Sequence, residues 1–531
     1  MSSPETNGSH VDLVAVRAKL QSMAEDGRID ELIALVIDLL LRVKEENNAL
    51  TQRLQKALRA LYGRKSEKVS DEELKTMLAQ IGKDAPAPAP PPVPPPPPPP
   101  LAEPKPLKSH KGRNPLPSNL PRRKKVISVP PELRTCAKCG TEKKCIDHVK
   151  SEILDFIPAQ FIVIEECREK LACPACESEF VVAPSEKVMD KGRPGSGLLA
   201  KIVVDKCEDS MPLYRQCKEF ARLGVPLSTS TIGDWSAFAL DVLAPIARRI
   251  KEKVIDSGYI NADDTGLPVL DNDHPNGVKR GHLWAYAGGG LVAFHYTADW
   301  KAEGPMEFLR DFRGHLQGDG YAGYEKALRD VMQNEESVVP EERRLGCGMH
   351  IRRKFEEAAK LGDVRAAVAI NYFKAIYKFE KGYKEQGLSA DDRLEQRKGV
   401  SLPLVDELYQ WIRDIEPQAI PKTPLYAAIR YAKNQEDAWR RCFSDGKFEI
   451  DNGEAERRLR WVAIGRKNFL FAGSDTGAER LGVGYTLTGS CHANGVNPLE
   501  YLTDAIEKLQ SGWPMSRLDE LLPNVWRPGL T

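Results

Sequence analysis

From residue 29 to residue 62, apolar side chains recur at alternating spacings of three and four. Ile33, Val36, Leu40, Val43, Leu50, Leu54, Ala57 and Leu61 hold the seam, with Asn47 among them. This repeat predicts one long helix whose apolar stripe is narrow enough to pair with a second helix. An Asn on such a seam costs stability but selects register and partner number. The pattern therefore favours a parallel, dimerising coiled coil over a helix packed on its own domain. Helical periodicity returns over 197–252. There "MPLYRQCKEFARLGVPLSTSTIGDW" reads as a helix, a turn at Gly224-Val225-Pro226, and a second helix capped from the cluster Ser228–Thr231. That build suits a helix-turn-helix and a plain helical hairpin equally.

From 255 the period falls to two. "GYINAD" predicts a strand ending at Asp263, and "GHLWAYAGGGLVAFHYT" (281–297) predicts a hairpin around Gly288-Gly289-Gly290. A helix near 305–312 follows, then "GHLQGD" as a short strand into Asp319, the "YAGYEKAL" helix, a strand at "RRLGCG" and the "IRRKFEEAAKL" helix. The order is three strands, helix, strand, helix, strand, helix. A long helical region, about 351–446, then precedes "IDNGEAERRLRWVAIGRKNFLFAGS".

A chain of 531 residues exceeds one ordinary core, so two to four domains are expected. "APAPAPPPVPPPPPPP" (85–100) can form neither helix nor sheet and reads as a stiff polyproline spacer. "PRRKK" (121–125) reads as solvated surface, with a phosphate contact as the sharper alternative. With 77 Lys+Arg against 76 Asp+Glu, net charge argues neither for nor against nucleic acid; only local patches can. No apolar run is long enough to span a bilayer, and the polar start lacks the build of a signal peptide. The cysteines number 11, an odd count, with four in C-x-x-C pairs. That favours a reducing compartment and metal over disulfides, hence a soluble cytoplasmic protein.

Cys136 and Cys139 form one pair, Cys173 and Cys176 the other. Two such knuckles complete a tetrahedral zinc site, and the stretch between them reads as two strands around Pro158: a zinc ribbon. Cys145 and His148 lie near enough to replace one ligand. Four protein ligands leave no open position, so the role is structural.

An acid at the end of a central strand projects into the crevice where ligands bind. If the strands of Asp263 and Asp319 are neighbours, their carboxylates converge and suit Mg²⁺ or Mn²⁺. A third acid completes a two-metal clamp for displacement at phosphorus. "DNGEAERRLR" offers Asp451, Glu454 and Glu456 on a helix. Arg457, Arg458, Arg460, Arg466 and Lys467 there, with Arg352 and Arg353 in "IRRKF", supply cations for DNA phosphates.

Strand–strand–strand–helix–strand with such acids is a ribonuclease-H-like arrangement. Here the chain closely resembles the insertion sequence 66 family of bacterial transposases over nearly its full length. The resemblance lies in "LYGRKSEK" (61–68), the C-x-x-C knuckles, "PLYRQCKEFARLGVPLSTSTIGDW", "ADDT" (262–265), "GDGYAGY" (318–324), "CGMHIRRKF" (347–355), "DNGEAERRLR" (451–460) and "GRKNFLFAGS" (465–474). It implies that Asp263, Asp319 and Glu456 are the catalytic acids holding two Mg²⁺ ions. Asp264 stands where the family usually has Glu, and Gly453 replaces an Asn; neither departure removes a carboxylate of the triad. Cys347 and His350 form the family's C-x-x-H, which can bind metal, position a phosphate, or simply pack. Tyr321 and Tyr324 flank Asp319 and either pack or stack on an unpaired base.

The expected protein is a multidomain α+β DDE transposase that binds its element's terminal repeats, cleaves with water and joins a 3′-hydroxyl to target DNA. Its expected parts are a disordered N-terminus (1–28), a coiled coil (29–70), a Pro-rich linker (71–125) and the zinc ribbon (126–190). A helical DNA-binding segment (191–252), a ribonuclease-H-like core (253–480) with a helical insertion (about 360–446) and a helical C-terminus (481–531) follow. Expected partners are DNA, a second copy through the coiled coil, and accessory proteins of the element. A nuclease that cuts without joining, and a DNA-binding protein with an inactive core, are the alternatives.

Overall fold

The computed structural model describes residues 194–332 and 340–529 throughout. Before them it describes 13–31, 33–38, 68–81, 160–172, 180–185 and 187–189, with isolated positions at 40, 43, 47, 50, 54 and 138. The knuckle cysteines Cys136, Cys139, Cys173 and Cys176, with Cys145 and His148, lie outside the described residues, as do Ala57 and Leu61 of the seam. Residues 92–167 form one compact unit and the remainder another.

Near the knuckles, β1 (Lys170–Ala172) pairs antiparallel with β2 (Phe180–Val182). Of the two strands expected around Pro158, the one before it lies outside the described residues. The one after it is β1, which starts only at Lys170 because residues 160–169 carry no ladder. Their apolar side chains Ile162, Val163 and Ile164 stand exposed, with no described strand beside them to complete a sheet.

The main sheet runs β5-β4-β3-β6-β7, from β3 (Tyr259–Leu270), β4 (Val278–Gly288), β5 (Leu291–Thr297), β6 (His315–Gln317) and β7 (Arg344–Leu345). β3, β4 and β5 pair antiparallel; β6 and β7 add in parallel on the other side of β3. Gly289 and Gly290, at φ 59° and 75°, make the two-residue turn that matches the twist of β4 and β5. The order of strands and helices is the one that the change of hydrophobic period predicts. β3 differs in length. It does not end at Asp263 but runs seven residues further, because β4 continues to pair with it as far as Leu270. On the other side the pairing with β6 stops at Asn261, so Asp263 projects where that side of the strand is open.

Helices cover both faces. On one, Tyr286 stacks on Phe308 of α5 (Glu303–Phe308), with ring centroids 3.7 Å apart. Trp284 meets Tyr324 of α6 (Ala322–Met332) edge-on. On the other, Phe294 packs on Tyr485 of α12 (Asp475–Ala493), and α11 (Gly453–Phe469) lies along β3. The same hydrophobic cluster takes in α2 (Ser196–Cys207), α4 (Thr229–Ile255) and α13 (Pro498–Gln510). The boundaries expected at 252 and 480 therefore fall inside α4 and α12, within one core. α3 (Leu213–Arg222) joins α4 through Gly224 at φ 88°, and Ser228 caps α4 by accepting from the Thr231 amide. A buried stripe runs the length of α4 from Ile232 to Val254, so α4 is mainly a core helix.

A second cluster is built from α7 (Gly348–Lys360), α8 (Ala366–Glu385), α9 (Leu402–Ile415) and α10 (Pro424–Arg440). It includes α1 (Asp71–Ile81), where a free linker was expected. Ser70 and Glu73 form a reciprocal capping box, Leu74 is buried, and Lys374 pairs with Asp71 at 2.8 Å. The described seam positions before α1 are helical, and Leu40, Val43, Leu50 and Leu54 are each about 60% exposed.

Within the helical insertion, Arg397 is fully buried at the start of the π-turn Arg397–Ser401. It forks onto Glu380 at 2.8 and 2.7 Å and donates to the carbonyls of Cys442 and Asp445. Arg397→Met should destabilise the protein by about 3–5 kcal/mol, because it strands a buried carboxylate. Adding Glu380→Leu should recover most of that loss, as denaturant melts of both variants would show. A single variant as stable as wild type would refute the argument.

Candidate active site

Three acids from distant segments meet beside β3. Asp263 sits on the face that α11 covers. Asp319 follows β6 by two residues, and its Oδ1 accepts from the Tyr321 amide at 3.0 Å. Glu456 lies in the first turn of α11. That turn is pinned to the strand by fully buried Asn452, whose Nδ2 donates to the Ala262 carbonyl at 3.2 Å. The Asn452 amide also donates to Cys347 Sγ at 3.4 Å, and Asp451 Oδ1 caps the helix by accepting from the Gly453 amide at 2.9 Å. A Cβ at 453 would lie 2.7 Å from that same oxygen, so glycine lets the Asp451 carboxylate fold in tightly.

Charge crowding is the main property of the site. The Asp263 carboxyl is pushed up to about 8, by burial first, then by Glu456, with Asp319 and Asp264 adding to it; the Asp264 amide opposes. Around Glu456 stand His350 Nε2 at 3.6 Å and Arg353 at 3.9 Å. Burial pulls the His350 imidazole below its ordinary range, and burial pushes the Cys347 thiol well up. Cys347, His350 and Glu456 each offer a donor atom within 4.8 Å of the others. Cys347 Sγ accepts from the Asn452 amide and so ties the start of α11 to α7. The carboxylates are hard oxygen donors and fit Mg²⁺ or Mn²⁺.

Asp264 points the other way, as alternation along a strand requires. Its Oδ2 lies 2.6 Å from His282 Nδ1, and Trp300 Nε1 donates to its Oδ1 at 3.1 Å. Trp300 stacks on His282 and, at 4.7 Å between centroids, on Tyr321. Tyr324 is a core side chain, 2% exposed, while Tyr321 is half-buried and packs on Trp284, Trp300 and Tyr324. Sequence reasoning missed this cluster, because neither His282 nor Trp300 stands in a recognisable motif with Asp264.

The expected DNA-binding cations divide. Arg353 is at the acids, whereas Arg352 is occupied by buried Glu356 at 2.8 Å. Arg457 pairs with Glu454, and Arg466 donates to Thr265 Oγ1 at 2.8 Å and the Gly266 carbonyl. Arg460 and Lys467 are exposed on α11.

Comparisons with known proteins agree with this organisation. The family model described as transposase IS66 family matches residues 191–480, and the zinc-finger binding domain of transposase IS66 matches 134–177. The IS66 C-terminal element matches 486–524, and transposase C of IS166 homeodomain matches 49–124. Three proteins of Sinorhizobium fredii (strain NBRC 101917 / NGR234), each named only as uncharacterized, are similar. The protein y4hP is 30% identical over 506 residues, covering 90% of this chain and 89% of its own. The protein y4qI is 31% identical over 551 residues, covering 97% of each. The protein y4jD is 31% identical over 424 residues, covering 78% and 81%. A mixed α/β scaffold joined to a zinc-binding module makes this a DNA-binding protein of the transposase class. The chain belongs to the IS66 transposase family. Among the described residues, no helix is long and apolar enough to cross a membrane.

The crowding has a measurable sign. A carboxyl raised from 3.8 to about 8 takes up a proton on folding. The stability it contributes is complete below about pH 4 and is lost as pH rises toward 8. With divalent ions chelated, wild type should lose thermal stability across that window, and Asp263→Asn should not. The variant should melt several degrees above wild type at pH 8 and level with it at pH 4. Equal melting temperatures at both pH values would contradict the charge assignment.

Proposed function

We propose that the protein is a DDE transposase with a ribonuclease-H-like core, in which Asp263, Asp319 and Glu456 hold two Mg²⁺ or Mn²⁺ ions. The burial of Asp263 beside two further carboxylates carries this reading, since a cation is the economical way to keep all three ionised. Ions bound there would lower the pKa of the attacking hydroxyl and stabilise the leaving oxygen. The side chains set the geometry: Asn452 and Cys347 fix the turn that bears Glu456, and Arg353 offers a cation to a phosphate beside it. Water is the nucleophile for cleavage of the element's ends and a 3′-hydroxyl for joining. Cys136, Cys139, Cys173 and Cys176 are the ligands of one structural zinc, within the matched zinc-finger segment.

Asp319→Asn should abolish both nicking and joining of terminal-repeat DNA while leaving its binding intact, because an amide is a poor ligand for a hard cation. Asp264→Asn should cost about tenfold or less, since it leaves the three acids in place and disturbs only the His282–Trp300 contacts. Product gels resolving nicked from joined DNA separate a transposase from a nuclease. An Asp319→Asn protein that cleaves near the wild-type rate would remove the assignment.

The exposed described positions of the seam support a parallel dimer through residues 29–62. Leu40→Glu combined with Leu54→Glu should convert a dimer to a monomer in sedimentation at micromolar concentration, with the remainder of the chain still folded. A wild-type protein that sediments as a monomer would exclude the coiled coil.

A further inference from the structure

α11 ends in a strained turn. Leu470 follows it at φ 63° and ψ −43°, and the Phe471 amide donates to the Phe469 carbonyl two residues back at 2.7 Å. This is a γ-turn with a branched, left-handed, non-glycine residue at its tip. The chain is fixed on its far side, where the Ala472 amide donates to the Pro268 carbonyl at 2.8 Å and the Leu270 amide to the Ala472 carbonyl at 2.9 Å. The strain is therefore imposed by the ladder to β3, and its product is apolar exposure: Leu470 is 62% and Phe471 41% exposed. Both side chains stay exposed despite the strain.

Beside this tip lies an open cleft of about 370 Å³, lined by Gly266, Pro268, Val278, Lys279, Arg280 and Arg466. The Arg280 guanidinium lies flat across Gly266, where a Cβ would come within 2.7 Å of its Nε. Arg280 is exposed and has no ion-pair or hydrogen-bond partner among the described residues. Lys279, by contrast, is held by Asp271 and Asp475. On α11 itself, Arg460, Ile464 and Lys467 share one exposed face. Arg460 and Lys467 likewise have no such partner among the described residues.

Two independent measures place the tip relative to the acids. Along α11, fourteen residues from Glu456 to Leu470 rise about 21 Å. Along β3, six residues from Asp263 to Val269, which bridges to Ala472, span about 20 Å. Both equal about six base pairs of duplex at roughly 3.4 Å each. We propose that Leu470 is a wedge entering the base stack of the element's end about six base pairs from the scissile bond. The backbone phosphates run along Arg460 and Lys467 into the Arg280–Arg466 cleft. An apolar side chain between base steps unstacks them, and the flanking cations hold the distorted backbone. This inference rests on the acids cleaving DNA, as proposed above.

The test uses the full-length protein with divalent ions chelated, bound to a duplex of the element's terminal sequence carrying 2-aminopurine at one scanned position at a time. Fluorescence should rise severalfold at a position about six base pairs from the cleaved bond. Leu470→Gly relieves the backbone, so its melting temperature should equal or exceed that of wild type while the fluorescence rise disappears. Arg280→Gln should weaken binding several-fold and reduce the slope of log affinity against log salt by about one. A flat profile on a duplex that wild type binds and, once Mg²⁺ is added, cleaves would overturn the wedge alone, as would a Leu470→Gly protein that keeps the rise. Failure of wild type to bind any duplex would overturn the wedge and the cleavage reading together.

Discussion

Like charges do not gather unaided in a buried place, and Asp263 shares its surroundings with Glu456, Asp319 and Asp264. Mutual repulsion of these carboxylates is the constraint against which the surrounding structure is built. Asp263, Asp319 and Glu456 come from separate stretches of chain, so no local element can hold the group. The antiparallel hairpin fixes Asp263, the parallel strand β6 delivers Asp319, and α11 returns Glu456 from almost 200 residues further on. The ties are neutral and buried. Asn452 grips the Ala262 carbonyl at the residue before Asp263, so the third acid is registered directly to the first. A polar tie in the interior keeps its strength where a surface ion pair would be screened.

The helical insertion serves the same end. Gln317, the last residue of β6, is fully buried and accepts from the Tyr259 hydroxyl. Its Nε2 donates to the Gly346 carbonyl at 3.0 Å and to the Glu449 carbonyl at 2.7 Å. One side chain thus joins β3, β6, the end of β7 and the segment that leaves the insertion. The chain can wander through α8, α9 and α10 because this knot brings it back within two residues of Asp451. Removing the knot would leave the start of α11 held to the sheet chiefly through Asn452.

Much of this was legible in the sequence, for a physical reason. The change of period from 3.6 to two near residue 255 reports which side chains face a core, and the strand–helix order follows from it. The three acids stand in motifs, and the structure places them around one strand. What escaped is informed by partners far away in sequence. The full length of β3 is set by β4, so no feature of "ADDTGLPVL" itself could show that Asp263 sits mid-strand. The partners of Asp264 are equally remote: His282 lies on the neighbouring strand and Trp300 beyond the sheet. α1 is a different case. "SDEE" at 70–73 carries a capping box in plain view, and the proline run that marks a linker begins only beyond α1. The exposure of the seam residues is a property that only the folded chain reveals.

α11 shows how one helix can serve opposite electrostatic needs. Its first turn must present a carboxylate to other carboxylates, where cations crowding in would neutralise the ligands that a metal requires. Its later turns can be strongly basic, because a rise of about 1.5 Å per residue carries them more than a Debye length of about 8–10 Å from Glu456 by the last two turns. Glu454 sharpens the separation by occupying Arg457 and Arg458, the two cations nearest the acids in sequence. Arg460 and Lys467 are left to the solvent. A polyanion approaching this surface would therefore meet attraction along the distal part of the helix and repulsion at the acids themselves. On the proposed reading, divalent cations at the acids would relieve that repulsion, and the charge pattern that orients a nucleic acid would also make its close approach depend on metal.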